Sequence, residues 1–239
     1  MKRLAEHSQY FLRSPDFIRE LIGHSNIRKN DTVLDIGAGS GSISAVLALR
    51  VRWVVAIEAE PRMASKLRDN MKRLPNVTVE ERDFLQMPLP TMPYKVFANI
   101  PFHISSQIVR KLMFAELPPA GTYLIVQKQF ARKLLMSDQH FTGQLGAAIA
   151  PWFTVRIRRP LRRTDYSPPP AVDTVLMEIK PRPEPLLPRD KQEPYEAFVA
   201  KNFADFKSFQ KLPRVRTGIA ADKLPSQLNA EEWVSLFRG

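Results

Sequence analysis

No cysteine occurs among the 239 residues of this chain. That excludes a disulfide scaffold and a thiolate metal centre. It also excludes pyrimidine-C5 methylation by the usual route, in which a cysteine attacks the ring. Apolar runs of about 18 residues are absent too, so no membrane span is expected. The segment 1–9 is polar and charged, without the apolar stretch of a signal peptide. Together these absences lead us to expect a cytoplasmic protein. Internal repeats and heptads are missing. The four histidines show no metal-ligand spacing, and no carboxylate pair stands out as an acid/base dyad, so no metal is expected. Negative charge is in deficit: 36 Lys and Arg face 24 Asp and Glu, a net +12. An excess of that size, clustered as it is here, points to a polyanionic partner, most simply nucleic acid.

At 44% apolar residues, the chain has enough material for one α/β domain with a small appendage. Strand-like runs at 32–36, 53–58, 77–81, 95–99 and 122–126 alternate with helix-like runs at 42–49, 61–74 and 105–115. Such alternation predicts a doubly wound, mostly parallel, Rossmann-like sheet. A further helix over 15–24 opens with Ser14 as N-cap and Pro15 in its first turn. Residues 1–14 read as an arm and 137–144 as a polar loop. Late strands are expected at 153–157 and 174–179, separated by the extended Ser167-Pro168-Pro169-Pro170. The proline-rich stretch 181–188 reads as a linker. Short helices are expected beyond it at 193–206, 218–224 and 230–237, the last capped by Asn229 with Glu232. The boundary near residue 181 divides a catalytic domain, 1–180, from a small helical RNA-binding domain, 181–239.

Two stretches carry chemistry. Asp35-Ile36-Gly37-Ala38-Gly39-Ser40-Gly41 joins a strand to a helix through three glycines, which lets bare backbone approach a ligand. No lysine follows, which excludes a P-loop, and the spacing G-x-G-x-G departs from the dinucleotide fingerprint. A nucleoside cofactor without pyrophosphate fits better, namely S-adenosylmethionine. Glu58 ends the next strand, beside Ala59, where a carboxylate would hold a ribose. A charge at the start of the following helix is the alternative use of Glu58. Asp83 ends the strand after that and is placed to accept from an adenine amine, with Phe84 packing on the ring.

The second stretch is Asn99-Ile100-Pro101-Phe102. An exocyclic adenine amine is a poor nucleophile because its lone pair is delocalised into the ring. The Asn99 side-chain oxygen and the Ile100 carbonyl could accept its protons, Pro101 stiffens the turn, and Phe102 offers a face for stacking. A base reached this way must leave its own stack. His103 reads as a backbone or cap partner rather than a base. Basic clusters complete the picture: Arg110 and Lys111; Lys128, Arg132 and Lys133; Arg158, Arg159, Arg162 and Arg163; and Lys207, Lys211 and Arg214. They are expected to contact RNA phosphates. Phe203, Phe206 and Phe209, interleaved with the last cluster, have the helical spacing of core residues.

Taken together these motifs resemble the Erm family of 23S rRNA adenine-N6 methyltransferases and its KsgA/Dim1 sister group, over nearly the whole chain. Ser8-Gln9-Tyr10-Phe11-Leu12 resembles the family's N-terminal S-Q-N-F, which implies cofactor contacts from Gln9, Phe11 and Leu12. The glycine stretch resembles its cofactor loop, implying contacts from Gly37, Ala38, Gly39 and Gly41, and Glu58 and Asp83 fall on its ribose and adenine positions. Asn99-Ile100-Pro101-Phe102-His103-Ile104-Ser105 is close to its N-I-P-Y-H-[LI]-S, and Asn99 would also face the cofactor. Tyr166-Ser167-Pro168-Pro169-Pro170-Ala171-Val172 resembles F-x-P-x-P-x-V, which implies that Tyr166 meets the target base. Tyr10, Phe102 and Tyr166 stand where the family has Asn, Tyr and Phe. The resemblance implies methylation of a 23S rRNA adenine in the peptidyl-transferase loop and resistance to macrolide, lincosamide and streptogramin B antibiotics. The alternatives are a 16S rRNA dimethylase of the KsgA type and a noncatalytic RNA-binding protein on the same fold. Nothing in the chain demands more than a monomer.

Overall fold

The computed structural model describes residues 11–136, 141–213, 218–220 and 222–239. Its main sheet has seven strands. In chain order they are β2 (Thr32–Ile36), β3 (Trp53–Glu58), β4 (Val77–Glu81), β5 (Lys95–Asn99), β6 (Thr122–Gln127), β7 (Phe153–Leu161) and β9 (Thr174–Pro181). Their spatial order is β4-β3-β2-β5-β6-β9-β7. The five strands from β2 to β6 pair in parallel, with Leu34 opposite both Val55 and Val96. The central strands are buried along almost their whole length, Val33 to Ile36 in β2 and Tyr123 to Val126 in β6 among them. This explains why they read as unbroken apolar runs rather than alternating ones. The doubly wound expectation holds.

Connecting helices are set by local chemistry. The helix α1 (Pro15–Gly23) begins where the Ser14 hydroxyl accepts from the Phe17 amide, and it buries Ile18, Leu21 and Ile22. Next come α2 (Ser42–Ala48) and α3 (Pro61–Met71). The Glu60 carboxylate caps α3 by accepting from the amides of Arg62 and Met63. After β5 a 3-10 turn (Phe102–Ile104) leads into α4 (Ser105–Met113). A separate two-stranded ladder pairs β1 (Phe11–Leu12) with β8 (Tyr166–Ser167), antiparallel, setting Leu12 opposite Tyr166.

The chain divides into two compact units: 1–128 with 157–178, and 129–156 with 179–239. The single cut expected near 181 differs from this division, because 129–156 packs with the C-terminal segment. That stretch holds most of α5 (Lys128–Leu134) and all of α6 (Gln144–Ile149). Of the loop expected over 137–144, residues 137–140 lie outside the described residues, and α6 begins at Gln144.

The second unit continues with α7 (Gln192–Ala204), α8 (Phe206–Gln210) and α9 (Ala230–Arg238). The single helix expected over 193–206 is interrupted at Asp205, which is extended and caps α8 by accepting from the Lys207 amide. No helix occupies the described part of 218–224; the helical turn there is Pro225–Gln227 instead. The reciprocal cap of Asn229 and Glu232 on α9 is present, at 2.8 and 2.9 Å.

Candidate active site

The polar residues that bring chemistry into the first unit sit at or just past the carboxyl ends of parallel strands. The loop after β2, Glu58 and Ala59 at the end of β3, Asp83 and Phe84 after β4, and Asn99 to Phe102 with Ile104 at the end of β5 line one cleft, with Leu12 of β1 as a further wall. The cleft encloses about 140 Å³. Ligands of open α/β sheets bind at this edge.

The glycine turn is held from below. The amides of Gly37 and Ala38 both donate to the Ile57 carbonyl, at 2.8 and 3.0 Å. Gly37 has φ +70, and a Cβ there would lie 3.1 Å from Cδ of Pro101. The glycine turn and the Asn99-to-Phe102 turn therefore approach closely enough there to leave little room for a side chain. Gly41, at φ +95, does not line the cleft: a Cβ on it would strike Cδ1 of Leu67 at 2.6 Å and Cε of Met71 at 2.8 Å. It stands at the N-cap of α2.

Glu58 is buried. One carboxylate oxygen accepts from the Gly39 amide at 2.8 Å and the other from the Glu60 amide at 2.9 Å. Glu60 caps α3, and Glu58 holds the amide of that capping residue. Asp83 accepts from the Leu85 amide at 2.9 Å and from the Gln86 side chain at 3.3 Å. Phe84 is 4% exposed.

Sequence reasoning did not count Asp35 as a contact, yet it lines the cleft and is fully buried. One carboxylate oxygen accepts from the Ser44 hydroxyl at 2.6 Å. The other has no hydrogen-bond partner among the described residues. Burial pushes this carboxyl up to about 7, against the pull of Ser44 and with the charge of Glu58 adding to the rise. The signal was available: Asp35 precedes the glycines on a strand where Val33, Leu34 and Ile36 beside it are apolar.

The second motif closes tightly. Pro101 has φ −60, the Ile104 amide donates to its carbonyl at 3.3 Å, and the buried Ser105 hydroxyl donates to the Phe102 carbonyl at 3.0 Å. Asn99, Ile100, Pro101 and Phe102 all reach the cleft wall. His103 is exposed and does not.

Other expected site residues fall elsewhere. Gln9 and Arg214 lie outside the described residues, and Phe11 is placed by its backbone pairing with Ser167. Tyr166 is fully buried in the core, its hydroxyl 2.6 Å from that of Thr174. Burial pushes that phenol well above its ordinary range. A side chain so placed does not line the cleft; the ladder with Leu12 draws it inward.

The basic residues divide. Arg110, Arg132, Lys133, Arg162, Lys207 and Lys211 are exposed. Arg159 pairs with Glu20 and stands over the Phe17 ring, its guanidinium carbon 5.4 Å from the centroid. Arg158 faces Glu178 and Arg163 faces Asp173, each at 3.8 Å. Lys128 is half-buried, and its amide donates to the Asp173 carbonyl at 2.9 Å. Lys111 turns inward onto the loop after β4. Among the described residues no group of three His, Asp or Glu could hold a metal ion, and no helix is long and apolar enough to cross a membrane.

A seven-stranded Rossmann-like sheet with a glycine turn and an Asn-Ile-Pro-Phe turn on one cleft defines a methyltransferase. The family model for ribosomal RNA adenine dimethylase matches residues 2–209. An rRNA adenine N-6-methyltransferase of Limosilactobacillus reuteri is 32% identical over 201 residues, covering 84% of this chain and 80% of that one. A ribosomal RNA small subunit methyltransferase A of Latilactobacillus sakei subsp. sakei is 28% identical over 232 residues, covering 89% and 78%. The crystal structure of the 23S rRNA methyltransferase ErmE superposes with a TM-score of 0.82 at 29% identity, covering 95% of this chain and 98% of that one. The chain belongs to the ribosomal RNA adenine dimethylase family, a family of S-adenosylmethionine-dependent rRNA adenine N6-methyltransferases.

Proposed function

We propose that the protein methylates N6 of an adenine in the peptidyl-transferase loop of 23S rRNA, and that this modification confers resistance to macrolide, lincosamide and streptogramin B antibiotics. The observation that carries the methylation chemistry is the Asn99–Ile100 turn in the wall of the glycine-lined cleft. The 23S target is supported by the likeness to ErmE along nearly the full length of both chains. The protein is taken to act in the cytoplasm as a monomer.

The lining fits S-adenosylmethionine. Asp35, Glu58 and Asp83 make it rich in acceptors, which repels a pyrophosphate and suits a cationic ligand bearing hydroxyl and amino groups. Asp35 also brings a buried oxygen without a hydrogen-bond partner among the described residues. When bound, S-adenosylmethionine supplies an electrophilic methyl group on a sulfonium. Gly37, Ala38 and Gly39 give it bare backbone, Glu58 holds its ribose, and Asp83 with Phe84 holds its adenine, while Leu12 and Ala59 close the walls.

On the substrate side, the Asn99 oxygen and the Ile100 carbonyl accept hydrogen bonds from the N–H groups of the target amine. That turns its lone pair out of conjugation and raises its nucleophilicity. Pro101 fixes the distance between these two acceptors, and Phe102 stacks the extruded base, offsetting part of the cost of unstacking. Tyr166 serves from within the core by holding Leu12 through their strand pairing. Arg110, Arg132, Lys133, Arg162, Arg163, Lys207 and Lys211 supply phosphate contacts.

The test is methyl transfer from labelled S-adenosylmethionine to protein-free 23S and 16S rRNA, with the modified base mapped by reverse-transcription stops and mass spectrometry. Methyladenine in the 23S peptidyl-transferase loop is the expected result, and the mass gives the number of methyls. Label near the 16S 3′ end would instead establish the second reading, a 16S dimethylase, which the small-subunit methyltransferase among the relatives favours.

A further inference from the structure

Lys111 stands beside Arg110 in sequence, yet the two side chains do different things. Arg110 is exposed, its guanidinium carbon 5.2 Å from the Phe114 centroid. Lys111 is half-buried. Its ammonium donates to the Leu85 carbonyl at 2.8 Å and to the Met87 carbonyl, and stands 5.3 Å from the centroid of the Phe84 ring. Successive residues on a helix point about 100° apart, and here that rotation separates an outward charge from an inward one.

The target of the inward charge is the loop that follows β4. That loop brings Asp83 and Phe84 to the cleft. It is partly self-supporting: Asp83 accepts from the Leu85 amide, and the Gln86 and Met87 amides both donate to the Asp83 carbonyl at 3.1 Å. Those bonds leave the carbonyls of Leu85 and Met87 to be satisfied, and a half-buried carbonyl needs a donor. Lys111 supplies both bonds from α4, the helix that grows directly out of the Asn99-to-Phe102 turn. Charge-assisted bonds of this kind are stronger than neutral ones. Burial lowers the affinity of the ammonium for its proton, and Asp83 opposes that shift, as expected of a cation committed to the protein interior rather than to solvent.

We propose that Lys111 is a positioning residue that fixes the adenine end of the cofactor site to the helix carrying the catalytic turn, and that it makes no contact with RNA phosphate. The proposal rests on the functional reading above. Its consequence is that loss of Lys111 loosens Asp83 and Phe84, whereas loss of a phosphate contact weakens RNA binding and its dependence on salt.

The experiment measures S-adenosylhomocysteine binding by calorimetry and 23S rRNA binding across a salt series, for wild type, Lys111→Met and Lys111→Arg. The methionine keeps the apolar stem over Phe84 and removes the donors; the arginine keeps donors. The expected result is S-adenosylhomocysteine binding about tenfold weaker in Lys111→Met and partly restored in Lys111→Arg, with RNA affinity and salt slope unchanged. In turnover, KM for S-adenosylmethionine rises while kcat is held. Unchanged S-adenosylhomocysteine binding, with a salt slope lower by about one, would overturn the proposal and make Lys111 a phosphate ligand. Parallel loss of both affinities without rescue by arginine would overturn it as well, since the effect would then be general unfolding. A wild type that does not bind S-adenosylhomocysteine would sink the functional reading itself.

Discussion

The two units use aromatic and charged residues in opposite ways. In the first, polar groups gather at strand ends around a cleft: Asp35, Glu58, Asp83 and Asn99, with Phe102 half-buried at its wall. In the second, the aromatics turn on one another. Tyr195 meets Trp152 and Phe237 edge-on at 5.6 and 5.2 Å, and Phe203 stacks on Trp233 at 5.6 Å. Phe209 is fully buried, as its helical spacing implied. Phe206, 46% exposed, and Phe141, 67% exposed, depart from that pattern. The teaching is that a small helical unit has little core to spare. Its aromatics go to stability, while cations such as Arg132, Lys133 and Lys207 stay exposed. The larger sheet holds its core with aliphatic strands and can keep polar groups for chemistry.

That contrast is broken most severely at Trp233. Its replacement by alanine removes the ring on which Phe198, Phe203 and Phe209 pack, at a cost of about 3–5 kcal/mol. Denaturant unfolding followed by Trp152 emission checks this, since exposed Trp53 changes little. A loss below about 1 kcal/mol would mean the aromatic cluster is not what holds the second unit.

The next largest effect belongs to the first unit and depends on pH. The Asp35 carboxyl sits at about 7 in the folded chain against 3.8 ordinarily. The folded state therefore binds this proton more tightly. Its stabilising contribution is full below about pH 4, declines as the pH rises, and is lost above about 7. Asp35→Asn should flatten that decline, its stability relative to wild type rising by on the order of 4 kcal/mol from pH 4 to pH 8. Parallel stability curves for the two proteins would contradict the burial argument.

Asn99→Ala sharpens the comparison by attacking chemistry without core. The rate should fall about 100-fold or more, the scale for one donor or acceptor lost from a charge-stabilising site. Binding of S-adenosylhomocysteine should stay within about threefold. Equal loss of both would remove Asn99 from its assigned role. Smallest is Arg132→Ala on the last turn of α5, expected to weaken 23S rRNA binding severalfold and lower the salt slope by about one, with turnover at saturating RNA unchanged.

Much of the first unit was legible because its signals are local. A buried parallel strand is an apolar run, and its end is marked by Gly37, Glu58, Asp83 or Asn99. What escaped was non-local. Tyr166 before three prolines reads as a loop residue, and only its pairing with Leu12 sends it into the core. Lys111 reads as surface charge because the carbonyls it satisfies, those of Leu85 and Met87, carry no sequence signal. The short α6, with Gly146, Ala147 and Ala148 at its centre, has too little side chain to show periodicity, and it is buried by packing alone. Asp205 was legible in principle: an aspartate followed by Lys207 and Ser208 is a helix start, but a continuous run of apolar spacing from 195 to 209 masked it.

The short ladder that holds Leu12 bears on the timing of synthesis. One wall of the cleft is contributed near the start of the chain, and the strand that fixes it is Tyr166–Ser167. While the chain is being made, the glycine turn, Glu58, Asp83 and Asn99 all leave the ribosome before that partner does. The nascent chain thus lacks the pairing that holds this wall of the cleft until almost the whole first unit has been made.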